Sequence, residues 1–307
     1  MQIIYNGKKD IIQQSIILID GMNLFHRQYY AFNKFVTGTA YGFVNSLLSF
    51  TEQFEANKFI VCWEGGKLWR KTENKDYKKN RPKFTDEEKE NFHNSLQVTK
   101  KLLAKIGILQ IAKKGFEADD IIAKLVFMYN KNVVIVSNDK DFSQLVNDKN
   151  NIYVCKPTGK GVYCVMREND IAKIYGVPAN KIAKLLALMG DRGDGVAGVK
   201  GIGQKNALKI LNTNKPIKEI LDANKYSQFK ESLGLVNLKM DKFNFKIVKD
   251  DIVNLLDMYI GSNYKKYLNR LQKTLNVYKI NRYSALQLAK MKNKNFVKNF
   301  ITDRKEN

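Results

Sequence analysis

The chain of 307 residues is long enough for one large domain or two smaller ones. Its 44% hydrophobic and 27% charged residues are typical of a soluble folded protein, and no apolar run approaches the ~20 residues that cross a bilayer. The first residues lack the basic-then-apolar order of a signal peptide, and three cysteines without a CxxC pair favour a reducing cytoplasm. The net charge of +23 predicts a polyanionic partner, with nucleic acid the leading class. The alternative is that codon bias and solubility account for the excess of basic residues.

Short, continuous apolar runs predict buried parallel strands, and helical patterns separate them. The predicted strands are 15–20, 58–63, 107–112 and 132–137, with later strands near 151–156 and 162–166. The predicted helices are 39–54, 92–107 and 117–131. This alternation predicts an α/β domain with a mainly parallel sheet. From about residue 168 the pattern changes to short helices that continue to 251–260, and from Tyr264 basic residues alternate with aromatics and leucines.

Acidic residues follow the predicted strands or open helices, where an open parallel sheet has its reactive crevice. They are Asp20, Glu64, Glu117, Asp119, Asp120, Asp139, Asp141, Asp191 and Asp194. Each acid alone is explained by helix capping, but so many like charges in one place would repel unless a cation neutralised them. Ligand sets made only of oxygen favour Mg²⁺ or Mn²⁺ over Zn²⁺, and two such ions suit phosphodiester hydrolysis.

The segment 65–92 is too long for a plain connection and is rich in basic residues. Its Lys67, Arg70 and Lys78, together with Tyr77, suit phosphate contact and base stacking. The alternative is a solvated surface loop.

A glycine-rich stretch precedes a predicted helix that starts near Gln204. Gly198, Gly201 and Gly203 permit tight turns, which would leave backbone N–H groups free to meet a phosphate at the helix N-terminus, and Lys200 and Lys205 add positive charge. The spacing fits neither the dinucleotide fingerprint nor the P-loop motif. It predicts a hairpin that grips a nucleic-acid backbone, with a purely structural turn as the alternative.

The stretches "LIDGMNLFHRQYYA", "YKKNRP", "FEADDIIA", "VSNDKDF" and "GDRGDGVAGVKGIGQKNA" together resemble the structure-specific 5′-nuclease (flap endonuclease) family. The resemblance is strongest to stand-alone bacteriophage 5′-3′ exonucleases and to the 5′-nuclease domain of bacterial DNA polymerase I. It implies a PIN-like nuclease domain at 1–175 with a helical arch near 65–105. A helical DNA-binding region would follow at 176–307, with a helix-three-turn-helix element near 182–212.

The resemblance also implies roles for particular residues. The matched metal-binding acids are Asp20, Glu117, Asp119, Asp120, Asp139, Asp141, Asp191 and Asp194. Lys78 and Arg81 match the catalytic basic residues of the arch that engage the scissile phosphate, and 198–205 matches the hairpin that grips the duplex. Glu64 is a departure, because the family commonly has Asp after its second strand.

The implied activity is metal-dependent 5′-3′ exonuclease and flap endonuclease cleavage of branched, nicked or 5′-ended DNA, with removal of RNA primers from RNA–DNA hybrids. The implied cofactor is Mg²⁺, with Mn²⁺ as a substitute and K⁺ at the glycine hairpin. We expect a cytoplasmic monomer, in the host cytoplasm if phage-encoded, that works beside a replication polymerase or a single-strand-binding protein. The alternatives are a catalytically inactive PIN-like DNA-binding module and a PIN-type ribonuclease.

Overall fold

The computed structural model describes residues 9–32, 36–66, 68–79, 84–159, 162–213, 215–239 and 245–247. The strands in these ranges form one sheet in the order β3-β2-β1-β4-β5-β6. They are β1 (Ile16–Asp20), β2 (Phe59–Gly65), β3 (Leu109–Lys114), β4 (Val133–Val136), β5 (Ile152–Gly159) and β6 (Val162–Met166). Neighbours from β3 through β5 pair in parallel, and β6 runs antiparallel to β5. The predicted mainly parallel sheet is therefore confirmed.

Helices cover both faces of this sheet and form most of the described residues that follow it. The first six are α1 (Lys9–Gln14), α2 (Gly21–Phe32), α3 (Val36–Phe54), α4 (Trp69–Glu73), α5 (Asp86–Ile106) and α6 (Ala118–Tyr129). The later ones are α7 (Glu168–Tyr175), α8 (Ile182–Met189), α9 (Gln204–Leu211), α10 (Ile217–Ile220) and α11 (Ala223–Val236). Two 3₁₀ helices span Asp141–Leu145 and Ala179–Lys181. No helix within the described ranges is both long and apolar enough to span a membrane.

The helix predicted at 92–107 begins earlier, at Asp86. Thr85 accepts a hydrogen bond from the Glu88 N–H (3.2 Å) and Glu88 accepts one from the Thr85 N–H (2.7 Å). This reciprocal capping box starts the helix six residues before the predicted position. The C-terminal end is as predicted, because Gly107 takes the left-handed conformation that ends a helix (φ 82°). The predicted helix at 251–260 and the tail from Tyr264 lie outside the described residues.

The apolar strands are continuous in sequence because both faces of the sheet are covered. Leu18 and Ile60 face a core that contains α6 and extends to α8, α9 and α11. Ile17 and Trp63 face a second core formed with α2, α3 and α5. The first core joins the sheet to the helical region without interruption, and the domain boundary at 175/176 stays a prediction.

The strand order places a topological switch between β1 and β4. The chain runs outward from β1 through β2 to β3, and then returns to the other side of β1 at β4. In such sheets the crevice for ligands opens at the carboxyl ends of the two strands that flank the switch. Asp20 ends β1, and Ser137 follows β4 at this point.

Gly65 tests the close packing at the end of β2. A Cβ on Gly65 would lie 1.7 Å from the Lys113 carbonyl oxygen on β3, so Gly65→Ala should push the two strands apart. We expect it to lower the free energy of unfolding by about 1–3 kcal/mol, as for other overpacked sites. Urea denaturation measures this loss. Gly234→Ala on α11 is the control, because its Cβ would meet nothing within 4 Å and alanine favours a helix by ~0.5–1 kcal/mol. Equal stability changes in the two variants would contradict the close packing of Gly65 against β3.

Candidate functional site

Asp20 lies at the topological switch with both carboxylate oxygens hydrogen-bonded. Oδ1 accepts the Asn23 N–H (3.0 Å) and Oδ2 accepts the Ser137 hydroxyl (2.8 Å). Burial raises the pKa of this carboxyl to about 6; the Asn23 N–H opposes the rise, and the negative charges of Asp139 and Glu64 add to it. Asp20 is therefore a buried acid, and no basic side chain among the described residues pairs with it.

Asp139 and Asp141 follow β4 on the neighbouring side of the switch. The Asp139 N–H donates to Ser137 Oγ (3.0 Å), and Asp139 Oδ1 accepts the Asp141 N–H (2.9 Å). Burial is the main cause that raises the pKa of both carboxyls, and nearby acids such as Asp194 raise them further. Among the described residues, no hydrogen-bond partner reaches the buried Oδ1 of Asp141. An unpartnered buried carboxylate oxygen is a site that a cation would satisfy.

Asp119, on α6, is a further buried acid beside Asp20 and Asp139. Burial raises the pKa of its carboxyl well above the usual value, and the charges of Asp139 and Asp20 raise it further, while Lys78 opposes them. Cys62 on β2 has its thiol pKa raised first by burial and then by Asp20 and Asp119. Four acids from three segments, Asp20, Asp119, Asp139 and Asp141, thus act on one another electrostatically.

Glu117 and Asp120, at the start of α6, are neutralised within the protein. The buried Arg70 guanidinium donates to both Asp120 oxygens (2.6 and 2.9 Å) and to Glu117 Oε2 (2.6 Å). Trp69 Nε1 donates to Asp120 Oδ2 (3.0 Å). Asp120 Oδ2 also accepts the Glu117 N–H (3.0 Å). Both of its oxygens are used in this way to orient the start of α6, and its role as a metal ligand stays a prediction.

Lys78 lies between the neutralised acids and the uncompensated ones. Its ammonium pairs with Glu117 Oε1, and its backbone N–H donates to the Asp194 carbonyl (3.0 Å). Burial would raise the pKa of Glu117, but Lys78 and Arg70 outweigh it and hold that pKa below its usual value. Lys78 has a left-handed backbone (φ 56°), which this set of contacts holds in place.

Arg70 and Tyr77 do not occupy the exposed positions predicted for DNA contact. Arg70 is 2% exposed and Tyr77 is 4% exposed. The Tyr77 hydroxyl donates to Glu117 Oε2 (3.0 Å), and the Arg70 guanidinium is taken up by Asp120 and Glu117. The prediction was wrong on this point, because buried carboxylates attract these groups inward. Lys67 and Arg81 lie outside the described residues.

Asp191 and Asp194 lie in the turn after α8. Asp191 and Val196 exchange two backbone hydrogen bonds of 2.8 Å, and Lys140 Nζ pairs with Asp191 Oδ2 (2.7 Å). Both acids raise the pKa values of Asp139 and Asp141, so their charges face the carboxylates after β4. The turn therefore adds acids from the helical region to the site at the sheet.

Glu64 is half-buried near the end of β2, and its charge helps to raise the pKa of Asp20. Lys100 on α5 is a basic residue that interacts electrostatically with Glu64. Burial lowers the pKa of the Lys100 ammonium, and Glu64 opposes this shift. Glu64 thus lies at the margin of the acidic group, facing both an acid and a lysine.

The acidic group fits a divalent cation by its chemistry. Within the described ranges, no set of three or more His, Cys, Asp or Glu side chains is already gathered into a coordination shell. The donors at the switch are nevertheless all carboxylates, they raise one another's pKa values, and one has an unpartnered buried oxygen. Hard oxygen donors that repel one another are suited to Mg²⁺ or Mn²⁺.

The glycine hairpin, defined as residues 190–203 between α8 and α9, uses part of its backbone internally. The Gly198 N–H donates to Ser232 Oγ (3.2 Å), and the Lys200 N–H donates to Gln228 Oε1 (2.9 Å). These two N–H groups are not free for phosphate, so the expected phosphate contact would fall to the N–H groups at the helix N-terminus. The N–H groups of the first turn of α9, including that of the exposed Lys205, have no acceptor within the helix. Gly201 and Gly203 are exposed beside them.

Sequence reasoning missed Ser137 and Asn23, which hold Asp20 by hydrogen bonds. Asn23 lies on α2, a helix that the sequence did not predict. The buried side of α2 includes Gln28 beside Leu24, Phe25 and Tyr29. The position of Ser137 immediately after a buried strand was the available signal for its role.

Two family models match the chain. The 5′-3′ exonuclease N-terminal resolvase-like domain matches residues 15–176, and the 5′-3′ exonuclease C-terminal SAM fold matches residues 177–294. The chain is 31% identical to the 5′-3′ exonuclease of Bacillus subtilis over 74% of its own length and 81% of that protein. It is 32% identical to DNA polymerase I of Caldicellulosiruptor bescii over 67% of its length, which spans only 25% of that polymerase.

Two solved structures share the fold. A bacteriophage T5 flap endonuclease complex with DNA and metal ions aligns with TM-score 0.61 and 24% identity, over 86% of this chain and 100% of that chain. Flap endonuclease-1 from Methanococcus jannaschii aligns with TM-score 0.54 and 17% identity, over 95% of each chain. At these identities the likeness establishes the architecture: a PIN-like α/β domain followed by a helical region.

Replacing Arg70 tests its buried role. Arg70→Met should lower the free energy of unfolding by about 3–5 kcal/mol, because Asp120 and Glu117 would stay buried without their main counter-charge. Lys79→Met in the same segment is the control, since Lys79 pairs with Asp76 in solvent at 71% and 72% side-chain exposure, where such pairs contribute less than about 1 kcal/mol. Urea denaturation without divalent metal compares them. Similar, small losses in both variants would mean that Arg70 is a surface residue.

Proposed function

The chain belongs to the 5′-3′ exonuclease family, and we propose that it is a Mg²⁺-dependent nuclease that cuts branched or nicked DNA near 5′ ends. The observation that carries the proposal is the meeting of uncompensated buried carboxylates at the switch between β1 and β4. Asp20, Asp119, Asp139 and Asp141 form this group, and Lys78 lies at its edge.

Bound Mg²⁺ would supply Lewis-acid activation of water and charge stabilisation at the leaving oxygen. Asp20, Asp139 and Asp141 are the residues we assign to hold it, and Asp119, Asp191 and Asp194 complete the acidic surround. The hydrogen bonds from Asn23 and Ser137 keep the Asp20 oxygens oriented. Mn²⁺ would replace Mg²⁺ here because both are hard cations with oxygen ligands. Glu64 belongs to the margin of this site.

Lys78 is assigned to the scissile phosphate. Its ammonium is held by Glu117 within a group of acids, and its backbone is fixed to the turn that carries Asp194. A fixed positive charge beside the reacting phosphate stabilises the negative charge that develops there. Arg81 would add a second charge from the arch.

The duplex would bind away from the chemistry, at the glycine hairpin and the N-terminus of α9. Lys200 and Lys205 are exposed there, together with the free N–H groups of the first helical turn. Phosphates bind favourably at such a terminus. We also propose that K⁺ binds at the hairpin and that Lys67 contacts a phosphate of the DNA.

This function separates the protein from the two alternatives. An inactive DNA-binding module would have no need to keep several uncompensated acids buried, at a cost to its stability. A PIN-type ribonuclease would not need a hairpin and helical region matched to 5′-3′ exonucleases. We further propose that the enzyme removes RNA primers as a cytoplasmic monomer beside a replication polymerase or a single-strand-binding protein.

Asp139→Asn tests the metal-dependent chemistry. With flap, nicked and RNA-primed duplexes in Mg²⁺, single-turnover cleavage should fall by more than about 100-fold, beyond the usual loss for a group that only supports a ligand. DNA affinity should persist, because the basic surface is unchanged. Asp148→Asn is the control, since Asp148 precedes β5 at the opposite end of the sheet. Near-normal cleavage by Asp139→Asn, or wild-type cleavage without divalent metal, would refute the proposal.

Lys78→Ala and Lys205→Ala should separate chemistry from binding. Lys78→Ala should slow the single-turnover rate more than it weakens binding, because the lost charge lies beside the reacting phosphate. Lys205→Ala should weaken duplex binding and reduce its salt dependence by about one phosphate contact, with the saturated rate retained. Salt-titrated affinities and saturating single-turnover rates measure both effects. If Lys78→Ala mainly weakened binding and Lys205→Ala mainly slowed the rate, the roles assigned to the two lysines would be wrong.

A further inference from the structure

Helix α11 contacts both the glycine hairpin and the segments that carry the catalytic acids. We infer that α11 is a spacer that fixes the distance between the bound duplex and the carboxylates, and so selects which phosphodiester is cut. The inference rests on the proposed function of the hairpin and the carboxylates. It assigns positioning roles to Gln228, Ser232 and Gln144, none of which the sequence reasoning had singled out.

The middle of α11 holds the hairpin. Gln228 Oε1 accepts the Lys200 N–H (2.9 Å), and Ser232 Oγ accepts the Gly198 N–H (3.2 Å). Ser232 is only 4% exposed. Both bonds run from α11 side chains to hairpin backbone, so they fix the path of the hairpin rather than the position of one side chain.

The C-terminal end of α11 is joined to the carboxylate segments. The Leu235 carbonyl accepts Arg70 Nε (2.8 Å), and Arg70 is the residue that binds Asp120. Gln144 is held by two bonds: its Nε2 donates to the Val236 carbonyl (3.1 Å) and its Oε1 accepts the Leu238 N–H (2.9 Å). Gln144 belongs to the same 3₁₀ helix as Asp141. One helix end is therefore fixed to both sides of the acidic site.

The two side-chain contacts lie on one face of the helix, because Gln228 and Ser232 are four residues apart. The contacts at Leu235 and Val236 are made by backbone carbonyls at the C-terminal end of the helix. Eight residues at about 1.5 Å each separate the first contact from the last by about 12 Å. A helix does not stretch, and Phe229 and Leu235 are buried in the core, so this separation is rigid.

The consequence concerns the position of cleavage. A duplex gripped by the hairpin would present its scissile phosphate to the acids at a distance set by α11. Removing the bonds at either end should let the hairpin and the acids shift relative to each other while both stay intact. The predicted signature is a spread of cleavage positions rather than a simple loss of rate.

The test maps products of the double variant Gln228→Met and Ser232→Ala on a 5′-flap duplex with a 3′ label on the cleaved strand, in Mg²⁺. Both changes remove an acceptor with little loss of volume. Product one nucleotide from the main site should rise about 2- to 10-fold relative to the main product, the range for loss of a neutral hydrogen bond. Ser227→Ala is the control, because its hydroxyl is exposed and contacts Glu231 within α11 (3.4 Å) and not the hairpin residues that the structure describes. All proteins are assayed well below their melting temperatures.

Gln144→Met tests the other end of the spacer and should produce the same spread. A wild-type distribution of products in the active double variant, or in active Gln144→Met, would overturn the inference while leaving the proposed function intact. A uniform fall in rate without redistribution would also overturn it, because that result reports only a structural role. Absence of Mg²⁺-dependent cleavage by the wild-type protein would instead refute the proposed function and, with it, this inference.

Discussion

The buried guanidinium of Arg70 connects more of the site than any other group described here. It joins α4, which carries it, to the start of α6 through Asp120 and Glu117, and to the end of α11 through the Leu235 carbonyl. Burial would lower its pKa, but the two carboxylates outweigh that effect and raise the pKa above its usual value. The cation therefore stays charged inside the protein, and the packing of three helices around the sheet depends on that charge.

This neutralisation divides the acids into two groups with different chemistry. Glu117 and Asp120 are paired with Arg70 and Lys78, so their charges are balanced within the chain. Asp20, Asp119, Asp139 and Asp141 keep raised pKa values because burial and mutual repulsion disfavour their charged forms. The paired acids orient the elements, and the unpaired acids remain available to a cation. A site built this way keeps its shape without metal and gains its counter-charge when metal binds.

The sequence contained enough to predict the sheet, because continuous apolar strands and intervening helical patterns are read directly from the order of residues. It also placed acids at the ends of β1 and β4, since strand ends follow from the same pattern. It could not show that Arg70 and Tyr77 turn inward, because a basic segment with aromatics has the same composition whether it contacts DNA or buried carboxylates. Nor could it show that Gln228 and Ser232 occupy hairpin N–H groups, because those contacts join positions about thirty residues apart.

Calorimetric titration of Mg²⁺ into the metal-free protein tests whether the buried carboxylates lack a counter-charge until the cation binds. At pH 6, in two buffers of different ionisation enthalpy, the measurement gives the number of protons released on binding. Because burial raises the Asp20 pKa to about 6, that carboxyl is partly protonated at this pH and should release protons when the cation binds, and the other carboxyls with raised pKa values should add to this. The release should shrink at pH 8, where Asp20 is already ionised. Binding without proton release at pH 6, or no binding at all, would contradict the account of an uncompensated carboxylate site.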